Sequence, residues 1–310
     1  MAKLDISQSA FSGFDVIRRN WLAPGVWGLV QVVLALLPLL FVGPLLLEYF
    51  STIFGEISRG GEPNSAEVMR LSSQLNMVQP ISWITQLLAQ GLVTGAIIRA
   101  VLHPEDKRWF FMRLGMGEVM LVAVSLVFTI LYVLAILVAA IVVAIVGFAV
   151  AAASREAGIG IAILLGIAAF GVLIWGSLRF SLAFAMSHDK KQFLLFESWN
   201  KTRGHAGSLF GMGLLSLVVG GLISMVVAGV MLAIGAFAVL GNGGFEALQA
   251  LDASKDFSAF FTPERTQALI AFGILYLIVA SAINGYVGTI LTAPWAEAYR
   301  QLGREDEEVF

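Results

Sequence analysis

Six stretches of this chain carry no Lys, Arg, Asp or Glu: residues 20–47, 71–98, 119–154, 157–178, 204–245 and 266–296. Each holds at least the roughly 20 mainly apolar residues that an α-helix needs to cross about 30 Å of hydrocarbon. Inside lipid every backbone N–H and C=O must be satisfied within its own helix or a closed barrel, so long apolar runs fold as helices. The expected fold is all-α: one polytopic transmembrane domain over residues 1–310, with spans near 23–47, 79–101, 119–152, 159–186, 207–240 and 266–293. Composition agrees, since charged residues make up 13% of the chain against about 25% in soluble domains.

The same composition excludes many chemistries. A net charge of −2 is not that of a nucleic-acid binder. The absence of cysteine removes disulfides, thiolate metal sites and thiol nucleophiles. The three histidines, His103, His188 and His205, all fall in connections between spans, and none stands at ligand spacing with another ligand. No Walker A loop, His-Glu-x-x-His or Gly-x-Ser-x-Gly motif is present, and no acid lies deep within an apolar run. We therefore expect no catalytic residue, no cofactor and no bound metal. The N-terminal segment has no apolar h-region, so a cleaved signal peptide is not expected.

Lys and Arg are retained on the cytoplasmic side of a membrane. The N-terminal segment carries Lys3, Arg18 and Arg19; the connection after the second span, Arg99, Lys107, Arg108 and Arg113. The connection after the fourth span holds Arg179, Lys190, Lys191, Lys201 and Arg203, and the tail Arg300 and Arg304. These are 14 of the 19 basic residues, and the intervening loops hold the other five. Both termini are expected in the cytoplasm. Trp21, Trp27, Trp175 and Trp295 fall near inner span ends and Trp83 near an outer one, where indole suits the interface.

Two runs exceed a membrane thickness. Residues 119–154 read as one long helix, and 204–245 as a helix kinked at Gly220–Gly221 and ended by Gly241–Gly244, with a broken re-entrant pair as the alternative. Pro38 and Pro44 should bend the first span, and near Pro294 the chain should turn along the interface. Three hairpins, each preceded by a basic amphipathic segment, form a threefold pattern. In the first segment Phe11, Phe14, Ile17 and Trp21 oppose Asp15, Arg18 and Arg19; in the third Phe193, Phe196 and Trp199 oppose Lys190, Lys191, Lys201 and Arg203. A short helix is expected near Ser65–Leu75, capped by Asn64, and an amphipathic piece in 245–261.

Two groups of side chains are candidate sites. Arg99, Arg113, Arg179, Lys190, Lys191, Lys201 and Arg203 are candidate contacts to anionic lipid headgroups on the cytoplasmic side. Gln31, Gln86, Gln90, Asn284 and Tyr286 are the candidate polar lining of a solute path, or otherwise join helices. Gly91 and Gly95 form a Gly-x-x-x-Gly pattern for close helix packing.

Ser198-Trp-Asn-Lys-Thr-Arg-Gly204 with Leu209-Phe-Gly211, Ala293-Pro-Trp-Ala-Glu-Ala-Tyr-Arg-Gln-Leu302, and Arg99-Ala-Val-Leu-His-Pro-Glu-Asp106 with Arg113-Leu-Gly115 carry a resemblance. They resemble elements of a loose bacterial six-span family that includes the membrane domain of some glycerophosphodiester phosphodiesterases and stand-alone relatives. The resemblance implies a bacterial inner-membrane protein. The catalytic phosphodiesterase domain has no counterpart in these residues, so activity does not carry over. The expected function is non-enzymatic: organising lipid, or a protein partner, through a basic cytoplasmic face. The alternative is a channel or passive transporter for a small or amphiphilic solute.

Overall fold

The computed structural model describes residues 4–58, 65–239 and 263–303, which are 88% helical, with no strand among them. In chain order the helices are α1 (Ile6–Arg19), α2 (Leu22–Leu36), α3 (Leu39–Ser58), α4 (Ser65–Leu102), α5 (Met116–Ala151) and α6 (Arg155–Phe180). They continue with α7 (Ala183–Lys190), α8 (Glu197–Lys201), α9 (Ala206–Val239) and α10 (Pro263–Gly303); a short 3₁₀ turn, Arg108–Phe111, precedes α5. Among the described residues five helices are long and apolar enough to cross a membrane, or six if the bent pair α2–α3 counts as one span. The chain is built as a multi-pass helical membrane protein. Its exposed faces agree: Ile141, Ile145 and Phe148 of α5, Leu164 and Phe170 of α6, and Met225 and Val226 of α9 all lie open, a surface for acyl chains rather than water.

The α2–α3 bend of 58° falls at Leu37–Pro38. Proline has no N–H to donate and its ring crowds the carbonyl four residues back. The Leu34 carbonyl is taken instead by Leu37 N–H at 3.3 Å. Pro44, Pro80 and Pro294 all lie inside helices. The expected turn at Pro294 therefore does not occur: α10 runs on to Gly303. Membrane helices tolerate an interior proline where neighbours satisfy the freed groups, and Ala293, Ala296 and Ala298 around it are buried. α9 runs unbroken through Gly220–Gly221, so the re-entrant pair does not form. The Asn64 cap, the Gly241–Gly244 helix end and the amphipathic piece in 245–261 lie outside the described residues.

The chain divides into two compact units. One holds Asn20–Val93 and Val218–Gly288. Here α2 crosses α10 backbone to backbone: a Cβ on Gly28 would strike the Ser281 carbonyl, and one on Gly285 the Pro24 carbonyl. Small residues let membrane helices approach this closely, which dispersion and weak polar contacts then reward. The Tyr286 hydroxyl donates to the Trp21 carbonyl at 2.7 Å, fixing the start of α2.

The other unit holds Met1–Arg19, Thr94–Leu217 and Thr289–Phe310. Its α5–α6 hairpin turns through Ser154, whose hydroxyl accepts the Ala157 N–H at 3.4 Å as an N-cap. Just inside the turn a Cβ on Gly158 would lie 2.6 Å from Ala151 Cα. A core of Val124, Ala183 and Leu195 is walled by Phe128, whose ring meets Phe184 and Phe180 edge-on at 5.7 and 6.1 Å. α1 turns Ser9, Ala10, Ser12, Gly13 and Val16 inward and leaves Phe11 and Phe14 exposed. Its inward face is thus small and polar, not aromatic, because Gly13 sits where a Cβ would be 2.6 Å from Ile290 Cα.

Candidate functional site

The second unit gathers charge where the sequence pattern shows only scattered single residues. Gly115 precedes α5, and Glu118 is the third residue of that helix. From there its Oε2 accepts the Gly115 N–H at 3.0 Å, half of a capping box. Oε1 takes a charge-assisted hydrogen bond from Arg99 Nη2, near the end of α4, and lies 3.0 Å from His188 Nε2, near the end of α7. Arg99 Nη1 donates to the Phe111 carbonyl. All three charged or titratable side chains are buried: Arg99 is 9% exposed, Glu118 3% and His188 5%. One carboxylate therefore ties the ends of α4 and α7 to the start of α5, and Arg99 adds the turn at Phe111.

Two glycines make room for it. A Cβ on Gly95 would lie 3.0 Å from Glu118 Oε1 and 3.2 Å from His188 Nε2. One on Gly117 would lie 2.8 Å from the His188 carbonyl. The close approach expected from Gly91 and Gly95 is thus realised at Gly95, toward a polar cluster. His188 Nδ1 is buried without a hydrogen-bond partner.

The Phe111 carbonyl reaches Arg99 because the backbone before it is left-handed. Trp109, Phe110 and Phe111 have φ of 50°, 55° and 65°. For residues with a Cβ this costs about 1–2 kcal/mol each. Burial of Phe111 and its bond to Arg99 offset that strain, and the turn leaves Trp109 82% exposed.

A second layer lies beside the first. Asp189 receives the Tyr299 hydroxyl at 3.1 Å on one oxygen and faces His103 Nε2 at 2.9 Å on the other. Arg113 pairs with Asp106. At the end of α6, Arg179 is buried with its guanidinium 4.9 Å from the centre of the Trp199 ring and 5.8 Å from that of Trp175, and its Nε has no partner. The Arg179 carbonyl accepts from Ser198 Oγ at 2.9 Å and Thr202 Oγ1 at 3.2 Å. Ser198, Trp199 and Thr202 belong to the Ser-Trp-x-x-Thr-Arg-Gly segment. Its hydroxyls close the end of α6, its indole covers the arginine, and Gly204 supplies a φ of +83° before α9.

The candidate headgroup contacts separate into two kinds. Arg99 and Arg179 are buried in the arrangements just described, and Arg113 is paired. Lys190, Lys191 and Arg203 are exposed, and Lys201 is half-buried. The expected third amphipathic helix is absent: α7 stops at Lys190, Lys191 takes a left-handed φ of 54°, and only α8 follows before α9. Phe193 and Phe196 are exposed while Trp199 packs on Arg179. The left-handed residue breaks the helical register that would have aligned these rings.

The candidate polar lining falls in the unit of α2 and α10. Gln86, Gln90 and Asn284 are exposed, Gln31 is half-buried, and Tyr286 spends its hydroxyl on Trp21. Glu118 and His188 are missed by the sequence reading, since neither stands at a spacing that points to the other. The available signal is that Arg99 and Glu118 directly border apolar runs, where an unpaired charge seeks a partner from another run. Among the described residues no group of His, Asp and Glu is arranged to hold a metal ion. No described protein family, curated protein or solved structure matches the chain.

Proposed function

We propose that this is a non-enzymatic protein of the bacterial inner membrane that organises anionic lipid through a basic edge on its cytoplasmic side. In this reading α2–α3 forms the first of six spans, the helices pair as three hairpins, and both termini are cytoplasmic. The observation that carries it is one exposed stretch between α7 and α9. In it Lys190, Lys191 and Arg203 are exposed, and so are the rings of Phe193 and Phe196. Arg108, next to the open Trp109 and Phe110, adds a second such place. Rings at the acyl boundary with cations at the phosphates are the arrangement of an interfacial anchor. The buried cluster holds this edge in shape, since His188 and Asp189 directly precede Lys190 and Lys191. Passive conduction past Gln31, Gln86, Gln90, Asn284 and Tyr286 has less support, because the Tyr286 hydroxyl is already engaged.

The test replaces Lys190, Lys191 and Arg203 with Gln and measures lipid carried by the purified protein in native mass spectrometry. Each cation is worth about 1 kcal/mol at an anionic surface. The triple variant should lose most of its enrichment of phosphatidylglycerol over phosphatidylcholine. Unchanged enrichment would leave these charges a topological role alone and overturn the proposal.

A further inference from the structure

A small polar cavity of about 80 Å³ lies between α1, the end of α4 and the end of α10. It shares no lining residue with the buried cluster or the basic edge. Gln8, Ser12, Asp15 and Arg19 of α1 line one side, and Glu297 and Arg300 of α10 another. The Ser12 hydroxyl is buried and has no hydrogen-bond partner. A buried hydroxyl left unmatched is costly, so such a group in a polar cavity points to a missing ligand or water. Glu297 is 3% exposed. Its Oε1 accepts from Arg300 Nη2 at 2.8 Å and Gln301 Nε2 at 3.2 Å, while Oε2 takes only Arg300, at 2.7 Å, which leaves acceptor capacity on Oε2.

The lining carries both signs in balance: Asp15 and Glu297 against Arg19 and Arg300. A simple anion would meet two carboxylates, and a simple cation two guanidiniums. A ligand with its own two charges a short distance apart satisfies both. We propose that this cavity binds a primary ammonium carried next to a phosphate. The ammonium donates to Glu297, Asp15 and the Ser12 oxygen, and the phosphate accepts from Arg19 and Arg300 at the mouth. The volume has room for about two or three waters, or for the ammonioethyl end of such a molecule. Ethanolamine phospholipid and free phosphoethanolamine share this chemistry.

Ser12→Ala and Asp15→Asn are the variants, the first removing only an unpartnered hydroxyl and the second altering an exposed position. Native mass spectrometry compares retention of phosphatidylethanolamine and phosphatidylglycerol with identical chains. Ligand-observed NMR with free phosphoethanolamine runs in parallel. Retention is read as wild type over variant for each lipid, so lipid held at the basic edge cancels. We expect both variants to weaken phosphatidylethanolamine retention by about threefold to tenfold and to leave phosphatidylglycerol and the melting temperature unchanged. The same loss confined to free phosphoethanolamine assigns the soluble molecule instead. Equal loss of both lipids, or no loss of any ligand, overturns the proposal and leaves the cavity to water.

Discussion

At the scale of single residues, Glu118 is the most consequential side chain. It is buried, it accepts from Arg99 and a backbone N–H, and it faces His188. Removing one partner of a buried ion pair leaves an uncompensated charge, at a cost of about 3–5 kcal/mol. Glu118→Ala and Arg99→Ala should each lower the thermal stability of the detergent-purified protein sharply. The double variant should be less damaged than the two losses added together, by about 0.5–3 kcal/mol of coupling. Strict additivity in thermal melts would mean that the pair contributes nothing through its contact. Gly117→Ala is a sterner probe than Gly95→Ala. The new methyl would press on the His188 backbone carbonyl at 2.8 Å, whereas at Gly95 it meets the ends of side chains that can yield. Gly117→Ala should therefore reduce melting temperature and yield more than Gly95→Ala does; the reverse order would contradict this packing.

At the scale of elements, α8 acts through the end of α6. Ser198 and Thr202 both bond to the Arg179 carbonyl, one of the orphan acceptors that every helix leaves at its C-terminus. Thr202→Val keeps the shape and removes the donor, and should cost about 1 kcal/mol in stability. Trp199→Ala should cost more, because it uncovers a buried guanidinium whose Nε already lacks a partner. A larger loss from Thr202→Val than from Trp199→Ala in the same melt would show that the cap, not the cation–π cover, secures this end. The apolar runs were readable as helices because lipid leaves backbone groups no other partner. The break at Leu37–Pro38 was readable because proline acts locally. The continuity of α10 through Pro294 was not, since it depends on what packs around Ala293 and Ala296. Nor was the loss of the third amphipathic helix, which turns on the left-handed backbone of Lys191. The pairing within the buried cluster was unreadable for a related reason, although Arg99 and Glu118 each border an apolar run. Arg99, Glu118 and His188 lie far apart in sequence and give no spacing signal; only the fold places them within hydrogen-bond reach.

At the scale of the whole molecule, orientation follows from where charge can be left. The long helices exceed the bilayer: α5, with 36 residues, would run about 54 Å, and α10, with 41 residues, about 62 Å, against roughly 30 Å of hydrocarbon. Their ends must project into water or headgroups: α10 carries Arg300 in its last turn, and Arg113 and Arg155 flank α5. Fourteen of the 19 Lys and Arg fall in the segments assigned to one side, and translocating them is what insertion avoids. If α2–α3 crosses once, six crossings return the chain to its starting side. If it instead enters and leaves by the same face, five remain and the C-terminus lies opposite. Reporter fusions at residue 310 and within 241–261 bracket α10 alone and should report opposite sides in either case. A third fusion in the first residues decides between five and six. Signal from the same side as residue 310 supports six crossings with both termini cytoplasmic. Signal from the opposite side would make α2–α3 re-entrant, and would contradict the packing of α1 on the end of α10, where Gly13 meets Ile290.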